Sequence, residues 1–367
     1  MKQMFKPALL ASGVALALGA ASVQAKEVRV YNWSDYIAED TIAKFEAETG
    51  IKVIYDVYDS NEVLESKLLS GRSGYDLAMP SNHYVTKYIK AEAIQKLDHA
   101  QLPNRELLNP ELMEQLEAVD PGSQYSMPYL WGTNGYGYNV DRVNAILGED
   151  APTDSWALLF DPEITAKLAA GGCGISLMDS GEEMLPAALS YLGIDPKSND
   201  SADIAKAAEV ITAVQPHITY FHSSRYISDL ANGEICVAAG YSGDILQAAD
   251  RAVEADNGIE IAYVIPKEGA ALWFDMMVIP KGAPNYDNAH TLMNFLMKPE
   301  IIADITNYVW YPNAVDAADE FVDPEILEDE SIYPTDEMME KLFVAKERPL
   351  DVQRVITRTW NRVKSGR

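Results

Sequence analysis

The 367-residue chain is 48% apolar, enough for a sizeable core, and sets 56 acidic side chains against 29 basic ones for a formal charge of −27. That balance argues against nucleic acid or anionic lipid as a partner and favours cations. The length favours two structural units over one.

Residues 1–25 read as an export leader, with Lys2 and Lys6 at its start, an apolar, small-residue stretch over 7–21 and Val23-Gln-Ala25 suited to a signal peptidase. Removing 25 of the 367 residues, and with them two of the 29 basic groups, leaves 342 residues with 27 basic and 56 acidic side chains, or −29. Nothing later in the sequence is long and apolar enough for a membrane span. In an oxidising compartment, the even pair Cys173 and Cys236 predicts one intrachain disulfide. His83, His99, His217, His222 and His290 are scattered and lack zinc spacing, so no metal is expected.

Along the chain, strands are predicted at 27–31, 51–58 and 75–80, alternating with helices at 39–48, 61–70 and 84–93. This order predicts a parallel sheet covered on both faces. Residues 127–140 carry glycines, aromatics, Asn134 and Asn139, and read as an extended crossing rather than a helix. A second series follows, with strands at 174–178 and 235–239, helices at 182–192, 202–214 and 245–255, and strands at 259–265 and 273–279 around a turn at Pro266 and Gly269. Helices at 288–297, 299–309, 335–346 and 351–364 complete the chain. The expected fold class is α/β, in two lobes with a cleft between them. The predicted division is 26–134 plus 256–308 for the first lobe and 135–255 plus 309–367 for the second.

Enzyme signatures are missing. Gly71-Arg-Ser-Gly74 and Gly240-Tyr-Ser-Gly243 have the wrong spacing for a nucleophile elbow, and Gly132-Thr-Asn-Gly-Tyr-Gly137 is not a dinucleotide fingerprint. No catalytic residue and no cofactor is therefore expected. What recurs is an acid beside an aromatic where a predicted strand ends: Trp33, Asp35 and Tyr36; Tyr241 and Asp244; Trp273 and Asp275. Asp179 and Glu183, and the run Tyr308, Trp310, Tyr311, occupy comparable junctions. Singly, each has an ordinary explanation, such as Asp244 capping the next helix or Trp273 filling core. Together, at strand ends facing one cleft, they suit an organic cation held by carboxylates and ring faces. A diamine needs an acid at each end and apolar walls between.

With these residues assembled, the sequence resembles the periplasmic receptors of spermidine/putrescine ABC transport, above all the putrescine-type members. The stretches that carry the resemblance are Tyr31-Asn-Trp-Ser-Asp-Tyr-Ile37, Tyr55-Asp-Val-Tyr-Asp-Ser-Asn-Glu-Val63, Tyr75-Asp-Leu-Ala-Met-Pro-Ser81, Tyr220-Phe-His-Ser-Ser224, Ile227-Ser-Asp-Leu-Ala-Asn-Gly233, Ile265-Pro-Lys-Glu-Gly-Ala270 and Arg358-Thr-Trp-Asn-Arg-Val-Lys-Ser-Gly366. The resemblance implies a type II periplasmic-binding fold that closes by hinge motion. It also implies a monomeric receptor that binds a polyamine in the periplasm and delivers it to an inner-membrane ABC permease, without catalysis. It makes Trp33, Tyr36 and Trp273 wall aromatics, Ser34 and Ser81 polar contacts, Asp35 a first-lobe acid, and Glu183 (or adjacent Glu182) the second-lobe acid. Asp244 and Asp275 are the pair that grips an amino group, and Tyr311 is a further contact. Tyr241 departs from the family pattern, where Trp is frequent, which leaves putrescine as first choice with cadaverine or spermidine as alternatives. A receptor for another small solute, such as an amino acid, is the competing reading. The cysteine pair matches a disulfide of putrescine-type members.

Overall fold

The computed structural model describes residues 26–366; the expected leader lies outside them. Ten strands among the described residues are β1 (Glu27–Trp33), β2 (Lys52–Tyr58), β3 (Leu77–Ala78), β4 (Ser126–Asn139), β5 (Ile175–Leu177), β6 (Tyr220–Phe221), β7 (Val237–Tyr241), β8 (Ile261–Val264), β9 (Ala271–Val278) and β10 (Phe343–Val344). They run in the order β2-β1-β3-β9-β4-β7-β5-β6, with β10 beside β9 and β8 beside β4. The pairs β1·β2, β1·β3, β5·β6 and β5·β7 are parallel, as expected of strands joined through helices.

β4 belongs to both halves. Residues 126–133 pair with β9, and residues 134–139 pair with β7 and β8. Its near-complete burial follows from this double role: it runs through both halves, and the packing of each covers its side chains. Two main cores form on either side of it. One holds Val28, Phe45, Leu77, Met277 and Ile305; the other holds Trp156, Ile175, Leu185, Ile211 and Trp360.

The chain changes core at three places, and two differ from the expected lobe divisions. The change expected at 256 falls later, because β8 still pairs with the second half of β4 and only β9 enters the first sheet. The change expected at 309 falls later still: Val309, Tyr311, Val315, Val322 and Ile332 pack in the first core, and Val352 is the first residue back in the second. The predicted helix over 335–346 is also revised. A short helix at Asp336–Met339 gives way to β10, whose Phe343 and Val344 align with Ala271 and Leu272. Available edge pairing along β9 overrides the local helical pattern. The turn expected at Pro266 and Gly269 is present, closed by the Gly269 N–H on the Pro266 carbonyl at 2.9 Å.

Cys173 and Cys236 are joined as a disulfide with a Cα–Cα distance of 5.3 Å, within the ordinary range. It links the loop before β5 to the residue before β7, both in the second core. Among the described residues no helix is long and apolar enough to cross a membrane.

Candidate functional site

The ends of β1, β3 and β7 and the middle of β9 converge on a narrow slot between the two cores. At the end of β1, Trp33 donates its indole N–H to the Met79 carbonyl at 2.8 Å and leans on the Tyr58 ring at 4.7 Å. Asp35 then takes a left-handed backbone (φ 53°), which turns Tyr36 inward to 3% exposure. Tyr36 meets Tyr311 edge-on at 5.0 Å, while its carbonyl accepts the Tyr129 hydroxyl at 2.9 Å. Its own hydroxyl is buried against Asp275 without a hydrogen-bond partner among the described residues.

After β3, the Asn61 amide brackets Ser81, donating to its hydroxyl at 3.0 Å and accepting its backbone N–H at 3.2 Å. The Ser81 hydroxyl in turn donates to Asp275 at 2.7 Å. Trp273 and Asp275 are two residues apart on β9, so the strand's period places both on one face, toward the slot. From the other core, Tyr241 ends β7 and Asp244 sits in the first turn of the helix Ser242–Glu254. Asp244 does not cap that helix. Its two oxygens accept hydroxyls from Tyr311 at 2.8 Å and Tyr226 at 2.7 Å. The left-handed Trp310 (φ 60°) ends the preceding helix Pro299–Val309 and redirects the chain so that Tyr311 enters the slot.

Glu183 lies in the first turn of the helix Gly181–Tyr191 and accepts a hydrogen bond from the Asn134 amide, whose carbonyl oxygen accepts the Trp273 indole N–H at 2.9 Å. Asn134 is the first β4 residue to pair with β7, so one amide ties the aromatic wall of one half to the acid of the other. Edge contacts run from Trp33 to Tyr241 (6.0 Å), Tyr241 to Trp273 (5.6 Å) and Trp273 to Tyr311 (5.5 Å), completing an aromatic girdle.

The structure therefore gathers Trp33, Ser34, Tyr36, Ser81, Glu183, Tyr241, Asp244, Trp273, Asp275 and Tyr311 around one space. Asp35 is the exception. Its left-handed turn sends the carboxylate outward to Arg251 at 2.7 Å, and it does not line the slot. Glu182 also turns away, toward Arg348 at 3.5 Å. Asp59 and Ser223 line the slot as well. Asp59 follows Tyr58 at the end of β2, the same acid-after-aromatic signal that picked out its neighbours. Asn134 and Tyr226 stand behind the wall, and nothing in the local sequence marks them.

Burial pushes the carboxyls of Asp244 and Asp275 up to about 7, and partial hydroxyl compensation from Tyr226, Tyr311 and Ser81 does not offset it. Desolvation likewise pushes Glu183 up to about 8. No Lys, Arg or His lines the slot among the described residues. Acids held in a dry, aromatic space without a counter-charge are unfavourable until a cation enters. A wider groove lies outside, between the helices Asn61–Leu69 and Leu350–Lys364, but its walls mix Lys87, Arg354 and Arg358 with Glu62 and Glu65 and select no charge. Among the described residues no cluster of His, Cys, Asp or Glu is arranged to hold a metal ion.

Fold and slot together define a two-lobed solute-binding protein of the kind that serves transport. A family profile described as bacterial extracellular solute-binding protein matches residues 40–335. The chain belongs to that family. It is 52% identical over 369 residues to the putrescine-binding periplasmic protein SpuD of Pseudomonas aeruginosa, covering 100% of both chains. It is 46% identical over 355 residues to the putrescine-binding periplasmic protein PotF of Escherichia coli, covering 96% of this chain and 95% of that one. Among solved structures, a putative spermidine/putrescine ABC transporter protein from Listeria monocytogenes superposes with a TM-score of 0.82 at 34% identity, covering 93% of this chain and 100% of that one.

Proposed function

We propose that this protein is a periplasmic receptor that binds a protonated polyamine, putrescine first, and delivers it to an ABC permease. The observation that carries the reading is the slot's composition: two buried aspartates and Glu183, a girdle of rings, and, among the described residues, no basic lining residue. Asp275 and Asp244 accept one ammonium, Glu183 faces the other end, and Trp33, Tyr241 and Trp273 cover the methylenes between. The names of its relatives support putrescine in particular. Cadaverine and spermidine differ in length by one methylene or an aminopropyl arm, and Tyr241 is the wall position that sets how much length is tolerated. The receptor has no catalytic step; closure of the two cores over the ligand is its working motion.

Calorimetry of the purified chain against putrescine, cadaverine, spermidine, an amino acid and a sugar tests this. Putrescine is expected to bind tightest and the uncharged sugar not at all. Binding of the amino acid or sugar without binding of any polyamine would overturn the assignment.

A further inference from the structure

We infer that Tyr226, which does not line the slot, is a positioning residue for ligand binding: the hydrogen bond from its hydroxyl keeps the Asp244 carboxylate in its charged form, ready to accept an ammonium. This rests on the polyamine reading above and extends it to a residue outside the cavity.

The geometry is a clamp with two arms. The Tyr226 hydroxyl donates to one Asp244 oxygen at 2.7 Å and accepts the Tyr241 backbone N–H at 3.1 Å. The Tyr311 hydroxyl donates to the other oxygen at 2.8 Å and accepts the Asp244 backbone N–H at 3.1 Å. Each hydroxyl has its acceptor side filled by a backbone donor, so its hydrogen is committed to the carboxylate. Each carboxylate oxygen keeps further acceptor capacity for a ligand N–H. Tyr311 belongs to the slot; Tyr226 is wholly buried behind it, in a small cluster with Ile227, Leu230 and Ile245. A phenylalanine serves packing alone, and a hydroxyl in such a cluster is unfavourable unless bonded.

The glycines of Gly240-Tyr-Ser-Gly-Asp244 supply a second, independent line. Neither Gly240 nor Gly243 has a positive φ, so backbone conformation does not require them. Space does. A Cβ on Gly240 would lie 2.6 Å from the Tyr226 ring, and one on Gly243 would lie 2.5 Å from the Tyr311 ring. Both arms of the clamp reach Asp244 only because the strand and helix start that carry it lack side chains at those two positions.

The other titratable groups around Asp244 are Asp35, Tyr36 and Asp275 from the first half, with Asp59, Glu183 and Tyr241 sharing the slot and Arg251 on its own helix. Asp35 and Asp275 resist ionisation of Asp244, and Arg251 and the two tyrosines favour it. Removing one arm therefore makes the carboxylate harder to ionise, and the defect must fade where pH ionises it anyway.

Calorimetry with putrescine on the wild type, Tyr226→Phe, Asp244→Asn and the double variant, across about pH 6.5 to 9, reads this out. Tyr226→Phe is expected to bind about tenfold more weakly at the lower end and within about twofold of wild type at the upper end. In the Asp244→Asn background the same change is expected to cost less than about twofold, because its target has lost its charge. A loss of equal size at every pH, or a full additional loss in the double variant, overturns the clamp while leaving the polyamine reading intact. Failure of the wild type to bind any polyamine overturns both. Gly240→Ala, which displaces the ring but keeps the hydroxyl, is expected to give the same pH-dependent defect and serves if Tyr226→Phe does not fold.

Discussion

At Asp275 the carboxylate accepts one hydroxyl from Ser81, lies beside the Tyr36 hydroxyl and is 3% exposed, so its charge is poorly compensated without ligand. Asp275→Asn keeps the shape and removes the charge; the expected result is at least an about tenfold loss of putrescine affinity, roughly 1.4 kcal/mol, by calorimetry. The pH behaviour follows from the same groups. Asp244 and Asp275 are raised from below 4 to about 7, and Glu183 to about 8. A carboxyl raised in the folded state contributes stability below its unfolded value, and that contribution is lost as pH rises through the folded value. The ligand-free protein thus loses this contribution between about pH 4 and pH 8. An ammonium reverses the preference, because it favours the ionised carboxylates, and aliphatic amines stay protonated to about pH 10. The thermal shift given by putrescine is therefore expected to grow from about pH 5.5 to about pH 8.5, and a shift that stays flat or shrinks contradicts the site. Asp244 and Asp275 were legible in the sequence because each closely follows an aromatic, Asp244 just past the end of β7 and Asp275 not at a strand end, as expected, but inside β9. Tyr226 was not, since its partner is a side chain 18 residues away.

At the scale of elements, position follows from periodicity and from where chains stop. β9 presents Trp273 and Asp275 together through its alternation, and the helix Ser242–Glu254 presents Asp244 on its first turn. The parallel pairings of β1, β2 and β3 were legible as alternating strand and helix signals. β10 was not, because Phe343 and Val344 become a strand only by pairing with β9. The disulfide acts at this scale too. It closes a loop of sequence separation 63 beneath β5 and β7, the latter ending at Tyr241 and leading into Asp244. Replacing both cysteines by serine is expected to lower unfolding free energy by about 2–4 kcal/mol in denaturant titrations. Putrescine affinity should change less than about twofold, since neither cysteine lines the slot. A large affinity loss with unchanged stability would reverse that order of roles.

For the molecule as a whole, several polar contacts cross the seam between the cores. Asp35 meets Arg251 at 2.7 Å, and the Gln247 amide donates to the carbonyls of Asp35 and Val309, each at 3.2 Å. Asp35, expected as a ligand acid, here forms an ion pair across that seam. Its ion pair is over a third exposed on both sides, so its worth is below about 1 kcal/mol. Arg251→Ala is accordingly expected to weaken putrescine binding by about two- to fivefold, mainly through faster release in stopped-flow. Solution scattering should show a smaller radius of gyration with putrescine than without; equal radii, with unchanged release from Arg251→Ala, would argue against a closing motion.

The sequence by itself determined the chemistry of the site, because a residue type and its place at a strand end are local properties. Acids beside rings, an acidic surface and the absence of nucleophile or phosphate motifs were all readable without coordinates. Only the tertiary structure decided which acids share the slot and which supports stand behind them. Asp35 leaves it through one left-handed residue, while Tyr226 and Asn134 enter its framework through hydrogen bonds between distant segments. Such pairings depend on how the two halves meet, and burial, not composition, sets the charge each carboxyl carries.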